Sequence, residues 1–334
     1  MMQSIVENNV TFILSVEELG FALSAKGADD MAAGLLKSFY PDEQMTEQSW
    51  ELILRTAAHG LIAKGYMERW DELTMQTYFH PELESMLEQI TIARSMVRCV
   101  HTTDSSERVL TMHLLHTEPE RVLYHLATDS LIHVLTWIQP AEMAAHLEPL
   151  FEPQFEQSVQ SLHTTDHGRL ATALSEEAWE QLATAVQTAA QHASTMQAQS
   201  AGQDTSQGAG HNTAQHAVQH AVQVKADPLP PQLLLEAADQ AVISQFWQDC
   251  KEAGYSMSNM SAMSWTDQPY PHLADVLFLV IGTERTWFIY NKEADLTKPP
   301  SLWMTTVSQA HWTDRTQQLI AAAMKASTDH AARS

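Results

Sequence analysis

Basic residues are scarce in this chain: 18 Lys and Arg stand against 41 Asp and Glu, a formal charge of −23 over 334 residues. A surface of that sign repels phosphate backbones and anionic headgroups, which disfavours nucleic-acid and membrane-surface binding. Cysteine is nearly absent, with Cys99 and Cys250 far apart and no CxxC. That fits a reducing compartment without a disulfide framework, although one bond between the two stays open. Long apolar runs are missing as well. Nothing approaches the roughly 18 residues of a membrane-spanning helix, and Phe12–Val16, preceded by Glu7, is too short for a signal segment. A soluble, cytoplasmic protein without membrane insertion is expected. No G-x-S-x-G elbow, G-x-G-x-x-G turn or G-x-x-x-x-G-K-[ST] loop is present, so no enzyme and no cofactor is expected either.

What is there is ample material for folding. Hydrophobic residues make up 44% of the chain, enough for real cores, and the length suffices for two domains. Seventeen histidines mean that the negative charge shrinks between pH 7 and pH 5. The most regular stretch lies at 108–150. Val109–His116, Arg121–Thr128 and Leu131–Ile138 are β-branched and apolar runs, separated by Thr117-Glu118-Pro119-Glu120 and Asp129-Ser130, which predicts three antiparallel strands. Pro140 then opens a helix over Ala141–Leu150, where its missing N–H costs nothing. A two-residue turn at Asp129-Ser130 sets Leu126 opposite His133, and the turn before it sets His113 opposite Tyr124. Both strand faces come out apolar. Helices of the same half are expected over one, and the second half of the chain or a partner over the other.

Upstream, Leu14-Ser15-Val16-Glu17-Glu18-Leu19 is a helix start, with Ser15 as cap, Glu18 at the third helical position and Leu14 stapled onto Leu19. A short helix follows over Met31–Phe39, stopped by Pro41. Thr46 caps a third, in which Trp50, Ile53, Leu54, Ala57, Ala58, Leu61 and Ile62 recur at helical spacing. Trp70–Arg98 reads as one or two further helices broken at Pro81. Three helices before a strand hairpin is the order of a winged helix. The third carries Arg55 and Lys64 against Glu47 and Glu51, a balance that fits architecture without DNA contact.

Residues 151–187 form a connector and the first helix of a second half, where Leu174-Ser175-Glu176-Glu177 repeats the earlier helix start. Residues 188–227 are almost wholly Ala, Gln, His, Ser, Thr and Gly, too poor in large apolar groups to repay their ordering entropy, and are expected to be a disordered insertion. A helix over Gln232–Gly254, strands at Ser261–Thr266, Asp275–Ile281, Thr286–Tyr290 and Leu302–Ser308, and a last helix capped by Thr313 complete the half at 228–330. The expected fold class is α+β: two similar halves in a pseudo-two-fold arrangement, each helices plus an antiparallel sheet, the first (1–150) winged-helix-like.

Few constellations bear on chemistry. His216 and His220 lie four apart with His211 upstream, but biased composition accounts for them. His113 and His133 share a sheet face two strands apart, about 10 Å, a gap that metal–nitrogen bonds of about 2 Å do not bridge. No metal site is expected. The pairs Glu17-Glu18 and Glu176-Glu177 fall at helix starts, where the helix dipole favours negative charge. Met257, Met260 and Met263 with Trp265 form the candidate partner-binding surface, because flexible thioethers suit adaptable recognition. The same spacing equally describes an irregular strand entering the core.

Thr286-Trp287-Phe288-Ile289-Tyr290, a loop, Trp303-Met304-Thr305-Thr306-Val307 and a terminal amphipathic helix, with the Leu14–Leu19 start at the other end, resemble the EspG family of type VII (ESX) secretion chaperones. The likeness covers most of the chain as an order of elements. The Gln/Ala/His insertion and the length of helix between Thr46 and Arg98 depart from the pattern. The resemblance implies a cytosolic, non-enzymatic protein that holds a helical secretion substrate before export. No individual binding residue carries over. A winged-helix transcription regulator built on 11–138, and an antitoxin or immunity protein, are the alternatives.

Overall fold

The structure is a computed structural model that describes residues 10–37, 39–40, 46–71, 76–103, 106–115, 118–155, 170–204, 237–265, 271–291 and 302–331. In chain order the elements are β1 (Thr11–Ser15), α1 (Val16–Ala25), α2 (Asp29–Lys37), α3 (Glu47–Ala63), β2 (Met67–Asp71), β3 (Gln76–Phe79), α4 (Pro81–Ile92), β4 (Ser95–Thr102), β5 (Glu107–Leu114), β6 (Val122–Thr128) and β7 (Ile132–Ile138). A single 3-10 turn at Pro140–Glu142 leads into α5 (Met143–Phe151), then β8 (Ala171–Leu174), α6 (Glu176–Asp204), α7 (Ala237–Glu252), β9 (Ser258–Ser264), β10 (His272–Ile281), β11 (Thr286–Asn291), β12 (Leu302–Thr306) and α8 (Gln309–Ala331). The fold is α+β, built on antiparallel strands.

Two compact units divide the chain: 1–152 with 258–277 and 309–334, and 153–257 with 278–308. In the first unit the strands run in the order β1-β7-β6-β5-β4-β9-β10. Directly opposed residues share a face, so the registers define two. One, the α1 face, carries Phe12, Leu135, His125, Thr111, Arg98 and Ser261 in a single row. The other, the α8 face, carries Ile13, Val134, Leu126, Leu110, Cys99 and Met260 in the next.

Helices α1 to α4 pack on the α1 face, where Phe12, Leu14, Leu123, Leu135 and Trp137 meet Leu19, Ala58, Leu61, Leu83 and Leu87. The start of α1 forms as expected: Ser15 Oγ accepts from the Glu18 amide, and the Glu18 carboxylate accepts from the Ser15 amide at 2.8 Å. Glu18 is buried and also takes the Lys64 ammonium at 2.7 Å, which ties α1 to the end of α3. Gly60 makes that approach possible, since a Cβ there would stand 2.6 Å from Glu18 Oε1. On the α8 face, α8 packs across β9, β4 and β5, and Val97, Cys99, Leu110, Met112, Met260 and Ala262 are sealed beneath it. The cover expected from the second half of the chain is thus supplied by the last helix.

The expected pairing is one residue out. Leu126 faces Val134 and His113 faces Leu123. At Asp129-Ser130 both residues adopt positive φ, closed by the Leu131 amide on Thr128 O. The Leu131 carbonyl is then taken by the Val16 amide, so Leu131 stands outside the ladder as an extra residue. Before β6, the Arg121 amide bonds to Glu118 O and delays the strand to Val122. The segment read as helices over Trp70–Arg98 holds the β2–β3 hairpin, α4 and the first part of β4. Pro81 does break it, as the first residue of α4.

In the second unit the order is β10-β11-β12-β8. Leu182 and Val186 of α6 and Val242, Phe246 and Cys250 of α7 pack on Val280, Trp287, Ile289 and Met304. Ser175 caps α6 as Ser15 caps α1, accepting from the Ala178 amide at 3.2 Å. Helix α6 runs on through Asp204, into the tract expected to lack structure from residue 188; its remainder, 205–227, lies outside the described residues, as do His211, His216 and His220. Cys99 and Cys250 are free and buried, so they form no bond.

Candidate functional site

The four residues expected to bind a partner do not form one surface. Met260 is fully buried on the α8 face, while Met263, three positions on, lies half-buried on the α1 face. Trp265 stays half-buried, its amide bonded to Arg94 O just before β4. Met257 belongs to the second unit and packs on its core. Alternation decides this: β9 is a regular strand, so a spacing of three sends successive methionines to opposite faces.

Around Met263 the α1 face is open. Phe12 and Leu14 of β1 and His133, Leu135 and Trp137 of β7 are buried, as are Leu123 and Ala127 of β6 on either side of the half-buried His125, and Val109, Thr111 and His113 of β5. One strand further, Met96 and Val100 are half-buried and Arg98 is exposed; beyond them Asn259 and Met263 are half-buried, on either side of the buried Ser261. The result is a window on β4 and β9, apolar at both ends with a guanidinium in the middle. Its underside is closed: Val97, Cys99, Met260 and Ala262 are covered by α8, and His101 Nδ1 shares a 2.9 Å hydrogen bond with Ser258 Oγ. Residues of β4 were not legible as a site because the segment reads as helix. The alternation of Met96-Val97-Arg98-Cys99-Val100-His101 was the available signal.

Bordering the window is a row of three imidazoles. His125 Nε2 lies 2.9 Å from His133 Nδ1, and its ring stacks at 5.9 Å on that of His113. His125 thus fills the gap between His113 and His133, two strands apart. Burial holds all three below the ordinary histidine value of 6.5, His113 down to about 4, with the Arg98 charge acting in the same direction on His113 and His125. They are neutral at pH 7. Among the described residues no group of three or more His, Cys, Asp or Glu is placed to hold a metal ion.

Other charged clusters have structural roles. Asp249 of α7, buried in the second unit, accepts from Trp287 Nε1 at 2.6 Å and Gln245 Nε2 at 3.0 Å, with Arg285 Nε at 3.4 Å. Burial raises its carboxyl while these partners pull it back, and its oxygens are occupied. Arg315 of α8 grips Asp275 of β10 through two bonds of 2.6 and 2.7 Å. On α3, Arg55 pairs with Glu51 and Lys64 with Glu18, so both cations of a would-be recognition helix are engaged. No described helix is long and apolar enough to cross a membrane.

A family model described as "Uncharacterised protein YfjC" matches residues 11–216. The chain belongs to the YfjC family. No curated protein matches it. Among solved structures, that of the Mycobacterium tuberculosis type VII secretion system chaperone EspG5 in complex with PE25-PPE41 dimer is similar over 96% of each chain, at 9% identity and a TM-score of 0.46. In this YfjC-family chain the matched span takes in all of β4 to β7 and the His row, and leaves out Met263 and Trp265.

Proposed function

We propose that this YfjC-family chain is a cytoplasmic, non-enzymatic binding protein that holds a helical segment of a secreted protein before export, as a type VII secretion accessory chaperone does. The observation that carries the binding role is the open window on β4 and β9. Met96, Val100 and Met263 offer apolar side chains around the exposed Arg98, on strands whose other face is sealed. Apolar groups left at the surface beside a charge, on a sheet covered from behind, suit a protein anchor with one acidic or carbonyl contact. The secretion assignment rests on the resemblance of the Leu14–Leu19 and Thr286–Val307 segments.

Co-expression with small helical-hairpin secreted proteins of the type VII class tests it. Wild-type protein co-purifies with one of them in stoichiometric amount, and Met263→Asp or Arg98→Glu abolishes capture while the melting temperature is kept. A folded Met263→Asp protein with undiminished capture overturns the assignment of the window.

A further inference from the structure

A second opening lies on the opposite face of the sheet, toward its other end. Helix α8 covers β9, β4 and β5. Helix α5 runs obliquely beside it, from Phe151 against His101 on β4 to His146 against Tyr124 on β6. Past His146 cover runs out: Leu126 and Val134 are half-buried, Ile132 is 45% exposed and Ile13 50%. We propose that this part of the α8 face, on β6, β7 and β1, is a docking slot for an amphipathic helix of a partner protein.

Shape and chemistry select the occupant. A strand cannot extend the sheet here, because the outer edge of β1 is already taken: the Ile13 amide bonds to Tyr66 Oη, its carbonyl to Lys64 Nζ, and the Ser15 amide to Glu18. Edges blocked in this way leave only the face. Three strands about 4.8 Å apart and three alternate residues along each give a patch of about 300 Å². That is well under the roughly 800 Å² per partner of a stable dimer interface, so a second copy of this chain does not fit. A helix about 10 Å wide does, and it would continue the layer that α8 and α5 begin. No position of β1, β7 or β6 on this face carries a charge, in a chain of net −23. The fitting helix therefore presents an aliphatic stripe of two or three turns with basic residues on its flanks.

The slot is independent of the β4–β9 window, and the test separates them. The full-length protein is titrated with a labelled peptide helix, Leu and Ala on one side and Lys on the other, in salt high enough to screen non-specific attraction. Binding to wild type is expected, with Ile13→Lys weakening it roughly tenfold or more and the uncharged change Ile132→Thr several-fold. Met263→Asp and the control Leu52→Lys, at a still more exposed leucine, should leave it unchanged. No binding to wild type, or unaltered binding to folded Ile13→Lys and Ile132→Thr proteins, overturns the slot. So does a wild-type dimer in sedimentation that Ile13→Lys splits, since the occupant is then a second copy. A tenfold gain in peptide affinity on removing residues 1–9 also overturns it, by assigning the slot to the chain's own terminus.

Discussion

The two faces of the first unit's sheet are covered in opposite senses. On the α1 face burial is complete at the β1 edge and fails along β4 and at Asn259 and Met263 of β9; on the α8 face it is complete at β4 and β9 and fails at β1. Cover on the first comes from α1 to α4, all within the first 92 residues, and on the second from α5 and from α8 at the far end of the chain. Along β1 and β4 sealed and open residues therefore alternate one by one. Identical residue types a few positions apart should then differ sharply in what their substitution costs.

Met260 and Met263 give the sharpest contrast. Met260→Asp places a charge beneath α8 and should lower unfolding free energy by about 4 kcal/mol or abolish folding. Met263→Asp should cost about 1 kcal/mol or less. Denaturant melts of the two variants decide it, and equal losses would mean that the β4–β9 window is closed in solution.

Acid should strike the covered part of the α1 face next. His113 sits at about 4 when folded against an ordinary 6.5. The unfolded chain therefore binds the proton first, so the stability that a neutral His113 supplies is complete above pH 6.5 and is lost as pH falls toward 4. At about 1.4 kcal/mol per unit this amounts to about 3 kcal/mol, and lowered values at His125 and His133 add to it. A His113→Leu variant should show a visibly flatter decline in stability between pH 6.5 and 4, measured by urea unfolding. An unchanged slope would remove the row of imidazoles from the account.

Much of this was legible in the sequence, and the exceptions share a cause. Ser15 and Ser175 announced their helices because capping is local, decided within four residues. The strands β5 to β7 were visible as apolar runs. Their register was not, since it turns on Leu131, whose carbonyl is claimed by Val16 over a hundred residues away. Strand β4 hid behind a helical expectation because Arg98 and His101 dilute its apolar pattern. The window depends on two things that spacing left open: β4 has to exist, and alternation along β9 has to put Met263 and not Met260 on the open side. No reading of spacing alone supplies the covering helices, and cover is what separates a site from a core.

Smaller effects test the anchoring of α1. Gly60→Ala should displace the Glu18 carboxylate from Ser15 and Lys64 and cost about 1 to 2 kcal/mol, more than an ordinary exposed helix glycine, where alanine stabilises. Ser15→Ala and Ser175→Ala should each cost about 1 kcal/mol. If Gly60→Ala raises the melting temperature instead, Glu18 is not held as described.

The central claim is that the open window on β4 and β9 is where a secreted helical protein is held. Its most direct measurement is the affinity of the purified chain for a helical-hairpin secreted protein that it captures on co-expression, compared between wild type, Met263→Asp and Ile13→Lys by isothermal titration. The account predicts at least roughly a tenfold loss for Met263→Asp, with Ile13→Lys close to wild type. Equal affinity for wild type and a folded Met263→Asp protein would contradict it.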